Sequence, residues 1–154
     1  AFHIAEENYQ KILSKNPKDF AANFDLASLY VFSNRELEKI PFLVQSAKET
    51  IALETEQAEQ GELADPSLYR RFYLPLLEGM MHYRTGDPQT AVTRLLEALG
   101  NAPGGAKPDL AEVYFYLGKS HLLLGNQETG KLFLTQSLDL DPKGPYSAAA
   151  RAVK

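Results

Sequence analysis

Apolar residues recur along this chain at three- and four-residue spacing, the period of a helix with one face turned to a core. Phe2, Ala5, Tyr9, Ile12 and Leu13 form the first such face, which ends at Asn16-Pro17. Asp19 is placed to cap a second helix carrying Phe20, Phe24, Ala27, Tyr30 and Val31, because its carboxylate can accept from a free first-turn N–H. A third helix begins near Pro41 and runs through Leu43, Ala47, Ile51 and Ala58, with a break at residues 61–66. Residues 68–83 are apolar and aromatic on more than one side, which predicts deep burial. Pro75 within them implies either a kink or a helix start, and the pattern does not choose between the two.

Thr85-Gly86-Asp87-Pro88 reads as a turn with a first-turn proline. The helix after it carries Ala91, Val92, Leu95, Leu96, Ala98 and Leu99. After a loop over residues 100–108, Asp109 opens a helix through Val113, Tyr114, Leu117, Gly118, His121 and Leu122. Gly125-Asn126 turns the chain into a helix marked by Leu132, Phe133, Leu138 and Leu140, and residues 145–154 start one more. Strand signals, such as alternating β-branched runs or Asn-Gly between apolar segments, are missing. Short connections between helices of this length describe antiparallel hairpins. A bundle and a solenoid both satisfy that description.

An internal repeat separates the two. From Tyr114 the chain gives Leu117-Gly118, a turn glycine at Gly125, a small residue at Gly130, then Leu138 and a closing Pro142. This unit resembles the tetratricopeptide (TPR) repeat, which has an aromatic, Leu-Gly, a turn glycine, small residues and a closing proline in that order. The unit before it matches through Gly79, Gly86, Ala91, Ala98-Leu99 and Pro103, with Glu78 as a departure where an apolar residue is expected. Leu26-Ala27 and Tyr30 indicate an earlier unit. Ala5, Tyr9, Ile12-Leu13 and Pro17 look like a second helix without its first. Gly79 and Gly118 lie 39 residues apart, and Ala27 and Gly79 lie 52 apart. Against a period of about 34, these imply insertions of roughly five and eighteen residues.

The resemblance implies an all-α, TPR-like α-solenoid of antiparallel helix pairs. It would have three to four units, with an extended helix insertion near residues 40–65, as one repeat domain over residues 1–154. Small residues at Ala27, Gly79, Ala91 and Gly118 support it on separate grounds, since they let helix backbones approach closely while larger residues fill the gaps. Hairpins with one uncovered apolar face bury it by stacking in a row.

Composition narrows the function. The chain has 154 residues, no cysteine, and 16 Lys+Arg against 20 Asp+Glu for a net charge of −4. Thiol chemistry and cysteine zinc sites are excluded, and the charge has the wrong sign for generic nucleic-acid binding. No apolar run approaches the roughly 20 residues that span a bilayer. With neither an initiator Met nor a charged-then-apolar leader, the chain reads as a piece of a longer protein.

Candidate chemistry is sparse. His82 and His121 occupy equivalent slots, where Tyr30 stands in an earlier unit, and read as packing residues rather than bases or ligands; His3 has no partner pattern. Asp139 and Asp141 sit at a helix end, and Glu54, Glu56 and Glu59 read as a wet face. Gly104-Gly105-Ala106-Lys107 lacks the Ser/Thr and preceding strand of a phosphate-binding loop. Ser14, Ser28, Ser46, Ser120 and Ser137 lack nucleophile-elbow surroundings. No catalytic residue, cofactor or metal is expected.

In TPR proteins the first helix of each pair lines a concave binding surface. The resemblance therefore implies that Phe24, Ser28 and Val31, then Leu76, Met80 and Tyr83, then Phe115, Lys119 and Leu122 are the lining positions, with Arg70, Arg71 and Arg84 at the rim. The chaperone-binding subtype places Lys, Asn and Arg in such slots to hold a peptide carboxylate. Phe24, Ser28 and Phe115 depart from that subtype. An apolar groove either receives a hydrophobic peptide or helix of a partner, or is filled internally by curvature or by the inserted helix. The expected function is a non-catalytic protein-interaction scaffold. The alternative is a structural spacer or oligomerisation module that self-associates through its terminal repeats.

Overall fold

Helix is the one regular element among the described residues. The computed structural model describes residues 1–56 and 66–153. In order they form α1 (Phe2–Lys15), α2 (Phe20–Ser33), a 3-10 turn (Leu37–Lys39), α3 (Ile40–Glu56), α4 (Pro66–Leu68) and a π turn (Tyr69–Tyr73). Then come α5 (Leu74–Arg84), α6 (Pro88–Gly100), α7 (Lys107–Leu123), α8 (Gln127–Leu140) and the short α9 (Ser147–Arg151). Ala58 and the break expected at residues 61–66 lie outside the described residues, apart from Pro66, which opens α4.

The helix ends follow from local chemistry. Asp19 accepts from the Ala22 N–H at 2.8 Å. The buried Asn23 side chain donates to the Pro17 and Asp19 carbonyls at 3.0 and 2.9 Å. The 16–19 turn is thus held from two sides, and orphan groups at the helix start are satisfied. Asp87 accepts from the Thr90 N–H at 3.1 Å, with Pro88 in the first turn of α6. The turns before α6 and α8 pass through Gly86 at φ 86° and Gly125 at φ 83°, a region that glycine enters without a Cβ penalty. α7 opens at Lys107, two residues before the expected Asp109, with Pro108 in its first turn.

Pro75 neither kinks a regular helix nor starts one at a loop. It lies in the first turn of α5, directly after the π turn, where the Leu74 N–H donates to the Tyr69 carbonyl. The wider i→i+5 spacing of that turn makes room for a residue with no N–H to donate.

The chain divides into two compact units, Ala1–Leu77 and Glu78–Lys154. In the first, Phe20, Ala47, Ile51 and Leu74 form a buried cluster, with Phe24 and Tyr69 packed against it. In the second, one packing geometry occurs twice, 39 residues apart. A Cβ added at Gly79 would lie 2.5 Å from Leu95 Cγ and 3.4 Å from the Ala91 carbonyl oxygen. At Gly118 it would lie 2.7 Å from Leu134 Cγ and 2.9 Å from the Gly130 carbonyl oxygen. Gly130 faces back the same way, 2.9 Å from the Gly118 carbonyl oxygen by the same construction. Gly79 and Gly118 therefore sit under a leucine of the following helix, and Gly130 under Leu122 of the preceding one, at contact distances that leave no room for a methyl group.

Glu78 is explained by the same register. It is 7% exposed and its Oε2 lies 3.5 Å from Arg94 Nε, while Arg94 Nη1 donates to Glu97 at 3.2 Å. The positions 39 residues later hold Leu117 and Phe133. An apolar pair in one repeat is an ion pair in the other, so the carboxylate enters the interior with its counter-charge.

Gly118→Ala should destabilise the chain by about 1–3 kcal/mol through overpacking. Gly100→Ala, whose added methyl meets nothing within 4 Å, should stay within about 0.5 kcal/mol of the parent or stabilise it. Urea titration followed by circular dichroism reads both. Equal stabilities would show that α7 and α8 have slack at this crossing.

Candidate functional site

The nine lining positions fall on three helices, and three- and four-residue spacing keeps each trio on one helical face. Phe24, Ser28, Val31 and Leu76 belong to the first unit; Met80, Tyr83, Phe115, Lys119 and Leu122 belong to the second. Val31, Leu76, Met80 and Phe115 are buried, and the other five are half-buried. Ser28 Oγ donates to the Phe24 carbonyl at 2.9 Å, so its hydroxyl is satisfied within its own helix.

Two of the apolar slots are filled from within the chain, and the inserted helix takes part in one of them, since Phe24 packs against the cluster that holds Ala47 and Ile51 of α3. Phe24 stacks on Phe20 at 5.7 Å between ring centroids and meets Tyr69 edge-on at 5.3 Å. Phe115 stacks on Tyr146 at 4.6 Å. In each unit a tyrosine from a later segment covers an aromatic residue of the expected lining. Tyr83 packs edge-on against Tyr116 at 5.5 Å, and the Arg84 guanidinium lies 5.6 Å from the Tyr83 ring. Arg70 and Arg71 are exposed on the π turn.

An open cleft lies where helical periodicity carries no signal for one. Gln10, Leu26, Tyr30, Glu38, Lys39, Phe42 and Leu43 line a space of about 360 Å³ in the first unit. Its floor is apolar and its rim carries one charge of each sign. The backbone that shapes it runs through Asn34 at φ 56° and Glu36 at φ 51°. The left-handed region costs a residue with a Cβ roughly 1–2 kcal/mol, less for asparagine. A Lys39–Glu36 ion pair at 2.9 Å ties the turn. Phe42, in the first turn of α3, points outward with 75% of its surface exposed. Below it, the Tyr30 hydroxyl donates to Glu6 at 2.8 Å. Burial, with that carboxylate beside it, pushes the phenol up from 10.0 to about 12.

A second space of about 390 Å³ lies beside α9, lined by Lys131, Leu134, Thr135, Leu138, Ala150, Arg151 and Val153. The titratable residues singled out from the sequence stay scattered. His121 stacks on Phe133 at 5.5 Å and shares a 3.2 Å contact with the Asn126 amide. His82 is half-buried, with Nδ1 3.8 Å from Asp87 Oδ2. Asp139 is exposed and Asp141 ends α8. Glu59 and the side chains of Glu54 and Glu56 lie outside the described residues. Among the described residues no three His, Asp or Glu side chains converge as metal ligands would, and no helix is long and apolar enough to cross a membrane.

Comparison with protein-family models and with curated proteins finds no match.

The raised Tyr30 phenol sets a pH dependence. A group held protonated by the fold contributes stability below its unfolded pKa and loses that contribution as pH rises through the folded value. Stability should therefore fall between pH 10 and 12. Tyr30→Phe should make that fall shallower while costing about 1 kcal/mol at neutral pH for the lost hydrogen bond. Denaturant midpoints measured at pH 7, 10 and 11.5 test this, and an unchanged slope in the variant would contradict it.

Proposed function

We propose that this chain is a TPR-type solenoid of helix pairs acting as a non-catalytic scaffold that holds an apolar segment of a partner protein. Support for the repeat is the doubled geometry of the second unit, where Gly79 under Leu95 and Gly118 under Leu134 share one 39-residue register. Stacked pairs of this kind present preformed surfaces at little ordering cost, which favours capture of extended or helical segments.

The observation that carries the capture reading is Phe42 at the mouth of its cleft. A phenylalanine 75% exposed beside an apolar floor gains about 1.5–3 kcal/mol when a partner buries it. Glu38 and Lys39 on the rim would then fix orientation more than affinity. This contact lies outside the nine slots that the family resemblance implies, and the two slots filled by Tyr69 and Tyr146 are the reason for the shift.

A second reading rests on α1. Its outward face leaves Ile4 66% and Ile12 44% exposed, and the helix contains no buried residue. A structural module that stacks on a further repeat or a second copy would cover both isoleucines.

Peptides selected on the folded chain from a random display library should carry apolar anchors. Phe42→Ser should weaken their binding by about 1–3 kcal/mol, the range of an interface hot spot, without lowering the unfolding temperature. Selected peptides that bind the variant undiminished would remove the cleft from this reading. Light scattering separates the alternative: association that grows with concentration and disappears in an Ile4→Glu, Ile12→Glu double variant favours the structural module.

A further inference from the structure

The segment after α8 is a strap that packs its short helix α9 back against α8 and reaches α7 through Tyr146. Within it, Gly144 N–H donates to Asp141 O, Ser147 Oγ to Gly144 O, and Arg151 Nη2 to Pro142 O at 2.6 Å. Pro142 and Pro145 stiffen its approach, and α9 is a five-residue helix with Ala150 as its buried residue. Tyr146 is the side chain that carries the strap onto α7. Its ring stacks on Phe115 at 4.6 Å and meets Tyr116 edge-on at 5.4 Å, and its hydroxyl donates to Glu112 Oε2 at 2.6 Å.

Glu112, Phe115 and Tyr116 stand at i, i+3 and i+4 on α7, so one helical face presents a carboxylate, a ring face and a ring edge together. Packing alone does not call for the carboxylate. Burial pushes Glu112 above the usual carboxylate range, so holding its charge there has a cost that an apolar residue would avoid. What the carboxylate adds is a charge-assisted acceptor aimed at a phenol. Such a site prefers tyrosine to phenylalanine, because a ring without the hydroxyl leaves the half-buried acceptor without its donor.

We propose that the Glu112–Phe115–Tyr116 face is a tyrosine-reading site, occupied at rest by the chain's own Tyr146, and that its external ligand is a partner segment presenting tyrosine after a proline in the manner of Pro145-Tyr146. The strap is then an intramolecular competitor that sets how much affinity a partner must bring. This site lies in the second unit and does not rest on the cleft beside Phe42.

The test uses the whole chain and a nine-residue synthetic peptide with the sequence of positions 143–151, followed by fluorescence anisotropy. Tyr146→Ala should bind the peptide at least tenfold more tightly than the parent chain. Replacing the peptide's tyrosine by phenylalanine should weaken binding to that variant about tenfold, as for a lost hydrogen bond to a charged group, and replacement by alanine should abolish it. No binding to a folded Tyr146→Ala chain, equal binding to the parent, or equal binding of the phenylalanine peptide each overturns the proposal. Hydrogen exchange on the unmodified chain gives a readout that does not depend on the variant folding. Strap amides at residues 144–151 should exchange well ahead of those in α7 and α8. Exchange of the strap only on global unfolding would contradict a displaceable competitor. A dimer formed by exchanged straps would assign the face to a second copy and overturn the partner assignment.

Discussion

A leucine laid over a glycine sets the spacing of both hairpins in the second unit. With no Cβ at Gly79 or Gly118, the following helix comes close enough for Leu95 or Leu134 to rest on bare backbone. Dispersion contacts then accumulate along the whole crossing, because interiors at this density leave no gap to absorb a misfit. Ala91 and Gly130 complete the close approach from the other side. Turn glycines and caps determine where each helix stops, but this crossing determines how the two lie once they have stopped. The Glu78–Arg94 pair and its apolar counterpart Leu117–Phe133 show how much chemistry the geometry tolerates beside it.

This packing leaves some apolar side chains covered and others exposed. Interior slots that would otherwise face outward are closed by tyrosines from later in the chain, Tyr69 over Phe24 and Tyr146 over Phe115. Exposed apolar side chains remain elsewhere, with Phe42 foremost, in the first turn of α3 and shortly after a turn held in an unfavourable backbone region at Glu36. Strain of this kind persists where neighbouring contacts over-determine it, here the Lys39–Glu36 pair and the Arg35 N–H bonded to the Tyr30 carbonyl.

Much of the local structure was legible because it depends on neighbours in sequence. Asp19 and Asp87 as caps, Pro88 in a first turn, the turn glycines and the helical class all follow from rules that span four residues or fewer. The small residues at Gly79, Ala91 and Gly118 were legible through the repeat. Pro75 was ambiguous, because a kink and a helix start differ only in which carbonyl the next donor finds, and the π turn was a third answer. Glu36 in a left-handed conformation carries no sequence mark, whereas Asn34 does. The tyrosine plugs were hidden because they join residues 45 and 31 positions apart, and helical periodicity says nothing of such pairings. A trace existed for one of them: an aromatic directly after proline, followed by small residues, just past the closing proline of the last repeat. Glu78 was visible as a departure, and aligning the two repeats position by position exposes Arg94 as its partner.

The glycine–leucine crossing is tested most directly by a double-mutant cycle between Gly118→Ala and Leu134→Ala. If the methyl is excluded by the leucine, removing the leucine makes room for it. The two changes together should then cost less than their separate costs combined by about 1 kcal/mol or more, the size of coupling expected for residues in contact. Strictly additive costs would mean that the two side chains do not compete for one space, and the packing that positions α7 against α8 would have to lie elsewhere.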